Sequence, residues 1–369
     1  MFKNRILLIA DNYPSRESGT RGVFVFNLVQ EFSKKYTIDV VVPVSTFNHT
    51  KLAHDKAHVT YARFQGLSYL TLRHRWAYRF VSASKKLSVM RCIDISVEYE
   101  FVYCHFISSC LPIIDYVRNR GFPLFVAMGE STLDTRYRQL FRDSSRMNEL
   151  LSTITGVVTV SEQLKRLAQE KFNFSADSIL VAQNGANQNI FNHLEVEKVE
   201  FDSEMNEVFI AFTGAFIERK GFHVLMDAVS EIEGVKLVLI GRGEVNMNSD
   251  KIAFAGSLDN VLVPSFLKSC DMFVFPSLAE GSSNAIAEAI SCGLPIITTR
   301  IPEILEQVGE NNALFAEPND VSSLRRCIIQ FVENEGLRQT YSQRSKALSS
   351  VFSLEGRAKR ILTWIEAII

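Results

Sequence analysis

The stretch FVFPSLAEGSSNAIAEAISCGLPIITT, residues 273–299, decides how the chain is read. Two short apolar runs, FVFPS and LPIITT, flank a segment of small residues. Inside it stand two carboxylates, Glu280 and Glu288, with seven residues between them. Desolvating a charge is costly, so carboxylates in such surroundings call for partners. FVFPS reads as a buried strand ending at Pro276, with Glu280 in the loop at its carboxyl end. Ser282, Ser283 or Asn284 would cap a following helix with residues 285–292 as its body. Gly293 is the expected C-cap, with Pro295 two residues on. Glu288 then lies about one turn into the helix, on the face opposite Ile286 and Ile290.

Such a helix start presents free amides and a positive dipole end, which suit a pyrophosphate. The carboxylates suit neutral, hydroxyl-rich groups, because an ionised carboxylate accepts several hydrogen bonds. A ribose and a second sugar joined by a pyrophosphate would satisfy both demands. On local sequence alone, the same residues read equally well as a solvated loop glutamate and a helix-surface charge.

The surrounding chain repeats one grammar. RILLIA, a helix near Gly22–Lys35 and TIDVVVPV form a first βαβ unit; FVYCHF, PLFVAM, GVVTVS and SILVAQN follow as further strands. Continuous apolar strands between helices predict a parallel sheet covered on both faces. Residues 192–207, NHLEVEKVEFDSEMNE, are acidic and lack aliphatic periodicity, and read as a linker. The grammar then restarts with VFIAFTG, a helix around Phe222–Glu231, VKLVLIG, KIAFAG, MFVFPS and LPIITT. The expected organisation is an N-terminal Rossmann-like domain over 1–191, a linker over 192–207 and a C-terminal one over 208–352. The tail SLEGRAKRILTWIEAII, with Ser353 as N-cap and Glu355 in its first turn, would form a helix over 353–369 that folds back onto the first domain. Two such domains would face a central cleft lined by strand-end loops.

Composition agrees. The 369 residues, 47% of them hydrophobic, exceed what one core usually supports. With 40 basic against 41 acidic residues the net charge is -1, which argues against a nucleic-acid partner. Six cysteines form no CxxC pair and mostly sit in apolar runs; they read as reduced core residues of a cytoplasmic protein, not zinc ligands. ILLIA near the start is too short for a membrane span or a secretory signal.

Two other loops belong to the same expected edge. In TGAFIERKGFHVL, Gly214 ends a strand, and the adjacent Arg219 and Lys220 would neutralise a diphosphate and stabilise it as a leaving group. In DNYPSRESGTRGVFVFNLV, Gly19 and Gly22 would let backbone approach a ligand closely. That loop lacks GxGxxG and the spaced acid, so a nicotinamide-dependent dehydrogenase is disfavoured.

Together these phrases resemble the family-4 retaining glycosyltransferases of the GT-B fold. YPSRESGTRGVFV, VTVSEQLKRLA, QNGANQNIF, FTGAFIERKGFHVLMDA and LIGRGE carry the likeness, which is strongest in the E-x7-E phrase FPSLAEGSSNAIAEAISCGLPIITTRIPEILE. The resemblance implies that Glu288 holds the nucleotide ribose, that Glu280 sits by the donor sugar's hydroxyls or the reacting face, and that Glu280, Arg219 and Lys220 are the catalytic residues. It implies that Arg219 and Lys220 grip the diphosphate, with the amides of Gly281, Ser282, Ser283 and Asn284 and the glycines Gly214, Gly19 and Gly22 also on the donor. It implies no metal and no cofactor beyond a nucleoside-diphosphate sugar as co-substrate.

The chain also departs from the family. Ala215 follows Gly214 where many relatives have Arg, and Met128-Gly129-Glu130-Ser131 stands where relatives often have His-Gly-Ser-Asp. Glu130 and His105 are therefore the acceptor-side candidates. Leu72–Leu87 mixes Arg73, Arg75, Arg79, Lys85 and Lys86 with Trp76, Tyr78 and Phe80, a composition that would suit an anionic membrane surface at the inner membrane face and a lipid-linked acceptor. It suits an ordinary solvated helix as well. The resulting expectation is transfer of a sugar to a saccharide or lipid-linked acceptor hydroxyl in cell-surface polysaccharide or glycolipid assembly. The alternatives are a catalytically silent nucleotide-sugar-binding scaffold of the same fold, or a sugar-phosphate synthase or epimerase.

Overall fold

A computed structural model describes residues 4–15, 22–45, 55–65, 75–129, 144–192, 194, 196–202, 207–245 and 249–369. Gly19, Glu130 and the first three residues of the Leu72–Leu87 segment lie outside the described residues. The chain divides into two units. Unit 1 comprises residues 1–160, 164–182 and 358–369, and unit 2 comprises 161–163 and 183–357. The described part of segment 192–207 falls within unit 2.

Unit 1 is a 7-stranded parallel sheet in the order β3-β2-β1-β4-β5-β6-β7. Its strands are β1 (Arg5–Ala10), β2 (Thr37–Val44), β3 (His58–Arg63), β4 (Val102–His105), β5 (Leu124–Met128), β6 (Gly156–Thr159) and β7 (Ile179–Val181). Side chains alternate along a strand. Leu7 and Ile9 therefore enter one core with Val41, Val102 and Cys104. Ile6, Leu8 and Ala10 enter the other with Val40, Val42 and Tyr103. Burial on both faces explains why these strands read as unbroken apolar runs.

The C-terminal helix, Leu354–Ile368, adds Ala358, Ile361, Leu362 and Ile365 to that second core. Ser353 Oγ accepts from the Gly356 amide at 3.1 Å and so caps the helix. Trp364 lies where a Cβ on Gly156 would come within 2.5 Å of its ring, so the helix seats on a position that only glycine leaves open.

Unit 2 is a 6-stranded parallel sheet, β10-β9-β8-β11-β12-β13. Its strands are β8 (Val208–Thr213), β9 (Val235–Ile240), β10 (Ile252–Gly256), β11 (Met272–Phe275), β12 (Ile296–Thr299) and β13 (Ala313–Ala316). In both units the strand order reverses beside the first strand, between β1 and β4 and between β8 and β11. Ligands of open α/β sheets bind at such switch points, outside the carboxyl ends of the strands.

Edge strands β3 and β13 escaped the sequence reading. HVTYAR in β3 has only Ala62 fully buried, so it carries no apolar run.

Candidate functional site

The quoted stretch folds as strand, loop and helix. β11 ends at Phe275 and the helix runs Asn284–Ser291. Ser283 is the N-cap; its Oγ accepts from the Ile286 amide at 3.3 Å. Cys292 is the C-cap, one residue before the expected Gly293, which follows with φ 78°. The last turn thus uses glycine as its left-handed exit residue.

Glu280 lies in the loop after β11, 8% exposed, with two close partners on one carboxylate oxygen. Ser277 Oγ donates to its Oε1 at 2.6 Å, and Lys220 Nζ stands 2.5 Å from the same oxygen. Arg219 is 3.9 Å away and donates instead to the Ala279 carbonyl at 2.8 Å. Lys220 and Arg219 come from the turn after β8, the neighbour of β11 at the switch point. That turn can reach the loop because of Gly221. Its φ is +66°, and a Cβ there would stand 1.9 Å from the Pro276 carbonyl oxygen. Lys220 also lies 5.0 Å from the centre of the Phe275 ring. Burial pushes the Lys220 ammonium below its usual value, against the pull of Glu280. Arg219, 3.9 Å from Glu280 and 46% exposed, keeps its charge available to a diphosphate.

Glu288 is different. It is half-buried on the helix, with no side-chain hydrogen bond or ion pair to any described residue. Burial raises its carboxyl to about 8. At neutral pH it is largely protonated, poised to ionise when a ligand brings hydroxyl donors.

Two further groups hold the loop between the glutamates. Gln307, 4% exposed on the helix Pro302–Val308, accepts from the Ser283 amide and donates to the Ser283 carbonyl, both at 2.9 Å. Asn184 donates its amide to Ser282 Oγ at 3.0 Å and its Nδ2 to the Ser282 carbonyl at 2.9 Å. Gripped from both sides, the loop leaves the amides of Gly281, Ser282, Asn284 and Ala285 without acceptors among the described residues. Sequence reasoning missed Ser277, Gln307 and Asn184. Ser277 in FPS and Asn184 in SILVAQN and QNGANQNIF stood inside quoted phrases at strand ends, whereas Gln307 lay just beyond the last one.

Gly214 follows β8 with φ 144°, and its carbonyl oxygen lies where a Cβ on Gly241, after β9, would be 1.7 Å away. The buried Thr213 Oγ1 beside it has no hydrogen-bond partner among the described residues. Gly22 has an internal reason to be glycine: a Cβ would stand 2.6 Å from the Asn12 backbone. Its close approach is to the chain itself. His105 belongs to unit 1, is 4% exposed, and packs at a tilt against Phe24 and edge-on against Phe106, with ring centres 5.0 and 4.5 Å away.

The basic helix runs Arg75–Cys92. Lys85 pairs with Asp11 and Lys86 with Asp115, while Phe80 and Leu87 are exposed. These pairs leave fewer free charges for an anionic surface than the sequence suggested. No helix among the described residues is long and apolar enough to cross a membrane.

This fold is that of the GT-B glycosyltransferases. The chain superimposes on sucrose-phosphate synthase from Thermosynechococcus elongatus with a TM-score of 0.75, at 16% identity and over 99% of each chain. It superimposes on Anabaena HepE in complex with UDP and glucose with a TM-score of 0.71, at 16% identity over 99% of this chain and 100% of that one. Residues 207–334, which include every donor-side candidate from Gly214 to Glu288, match the family model described as Glycosyl transferases group 1.

Two curated relatives add to this. The chain is 34% identical over 173 residues to the lipopolysaccharide core biosynthesis glycosyltransferase LpsE of Rhizobium meliloti, 43% of this chain and 50% of that one. It is 24% identical over 228 residues to O-antigen chain mannosyltransferase B of Escherichia coli, 57% of this chain and 60% of that one. The matches thus span about half the length of these relatives.

Proposed function

We propose that the chain is a retaining, metal-independent glycosyltransferase that moves a sugar from a nucleoside-diphosphate sugar to an acceptor hydroxyl. The observation that carries this reading is the switch-point corner of unit 2. There a buried carboxylate is shared by Lys220 and Ser277 beside a helix start with unclaimed amides. The amides and Arg219 receive the diphosphate, and Lys220, with donors to spare beyond the one held by Glu280, stabilises its departure. Glu288 accepts the ribose hydroxyls, and Glu280 lies by the transferred sugar. The match of residues 207–334 supports the chemistry. The relatives named for lipopolysaccharide core and O-antigen synthesis support a setting in cell-surface polysaccharide assembly. Six free cysteines, five of them buried, support a reducing, cytoplasmic compartment.

The test is to incubate the chain with a panel of nucleoside-diphosphate sugars and surface glycans in EDTA. Products are followed by mass, and their anomeric configuration by NMR. One donor should give a sugar adduct with the anomeric configuration of the donor. An inverted product or a strict need for metal would refute those parts of the reading. Nucleotide binding without any product would favour the silent scaffold.

A further inference from the structure

Unit 1 repeats, at its own switch point, the arrangement that unit 2 builds around Glu280. Asp11 follows β1 directly, Ser108 follows β4, and β1 and β4 are the neighbours at which the strand order reverses. Lys85 Nζ lies 2.7 Å from Asp11 Oδ1, and Ser108 Oγ donates to Asp11 Oδ2 at 2.6 Å. A carboxylate shared by a lysine and a serine hydroxyl thus stands outside the carboxyl ends of the central strands in each unit. Asp11 and Ser108 belong to none of the expected site residues, and Lys85 was read only as part of a surface helix.

The chemistry of the cluster is specific. The Asp11 and Lys85 side chains are 24% and 22% exposed, so a ligand can reach both. Burial alone would raise the Asp11 carboxyl, but Lys85, Ser108 and Ser109 together bring it below its usual value. Ionised Asp11 keeps a lone pair beyond its contacts with Lys85, Ser108 and Ser109, and Lys85 keeps ammonium protons beyond the one it gives. Their opposite charges cancel, which disfavours a phosphate and favours a neutral polyol. The turn that delivers Ser108 is itself under strain: Phe106 has φ 77° and ψ 148°, a conformation a non-glycine residue adopts only when its surroundings impose it. Ser109 Oγ donates to the His105 carbonyl at 2.7 Å and helps impose it.

We propose that Asp11, Lys85 and Ser108 form a saccharide-binding subsite of unit 1. One hydroxyl of a vicinal pair donates to Asp11, and its neighbour accepts from Lys85. The inference rests on the function proposed above, since the saccharide it takes is the acceptor.

The experiment uses the full chain and titrates methyl glycosides of glucose, galactose, mannose and N-acetylglucosamine by saturation-transfer NMR. UDP-, GDP- and ADP-induced thermal shifts are recorded in parallel. The parent should bind at least one glycoside. Asp11→Asn should weaken it at least about tenfold, as expected when a site loses a charged hydrogen-bond acceptor for a hydroxyl. Ser108→Ala, the milder change, should weaken it less, and nucleotide shifts should match the parent in both variants. If Asp11→Asn does not fold, Ser108→Ala decides alone. The proposal is overturned if the parent binds no glycoside, if the folded variants bind like the parent, or if saccharide and nucleotide responses fall together. Glycoside binding that depends on Asp11, with no nucleotide response in the parent, would instead refute the proposed function and leave the subsite standing.

Discussion

Glu288 and Glu280 share one motif but live in opposite states. Glu280 is nearly inaccessible yet satisfied by Ser277 and Lys220. Glu288 has no such partners, and burial raises it to about 8 from an ordinary 4.5. Below 4.5 the folded and unfolded chains both hold the proton. Between 4.5 and about 8 only the folded chain does, so stability falls as pH rises through that window and the loss is complete above it. Glu288→Gln removes this liability. Its melting temperature should exceed the parent's at about pH 9 and converge on it towards about pH 5. An unchanging difference between the two would contradict the assignment. A carboxylate kept at a cost to stability is what a binding site demands. The pairing of the two glutamates was legible in the sequence, but their difference was not. Lys220, the partner that separates them, sits 60 residues from Glu280 and meets it only through sheet order.

At the scale of elements, the corner depends on two strand-end turns meeting. Lys220→Met strands the buried Glu280 charge and should cost about 3 kcal/mol, as breaking a buried pair does. Glu280→Gln strands Lys220 less, because Lys220 is the more exposed partner. The double variant leaves neither charge alone, so its cost should fall short of the sum by at least about 1 kcal/mol. Thermal or urea unfolding of the four proteins reads this cycle; strict additivity would mean the pair is not coupled. Sugar transfer should be lost in all three variants.

The strands and the capped helix of this corner were legible because apolar runs and Ser-Gly-Pro punctuation mark them locally. The clamps by Gln307 and Asn184 were not, because a glutamine or asparagine gives no sign of which distant peptide it will hold. Strands β3 and β13 were missed for a related reason. Both lie at sheet edges; β13 has only four residues, and β3 buries too little to show a run.

Across the whole molecule, two units of parallel sheet follow from one repeated grammar, and the same switch-point logic places a charged cluster in each. Ile361 and Ile365 of the C-terminal helix lie in the second core of unit 1. Under the proposed function, unit 2 binds a nucleoside-diphosphate sugar at the start of the helix that carries Glu288. The most direct test is the melting temperature of the parent and of Glu288→Gln with UDP, GDP, ADP and their sugars, in EDTA. A ligand that binds only the folded state must raise it. At least one nucleotide sugar should give a clear rise in the parent and a much smaller rise in Glu288→Gln. No rise with any of them, or an equal rise in both proteins, would contradict that mode of binding.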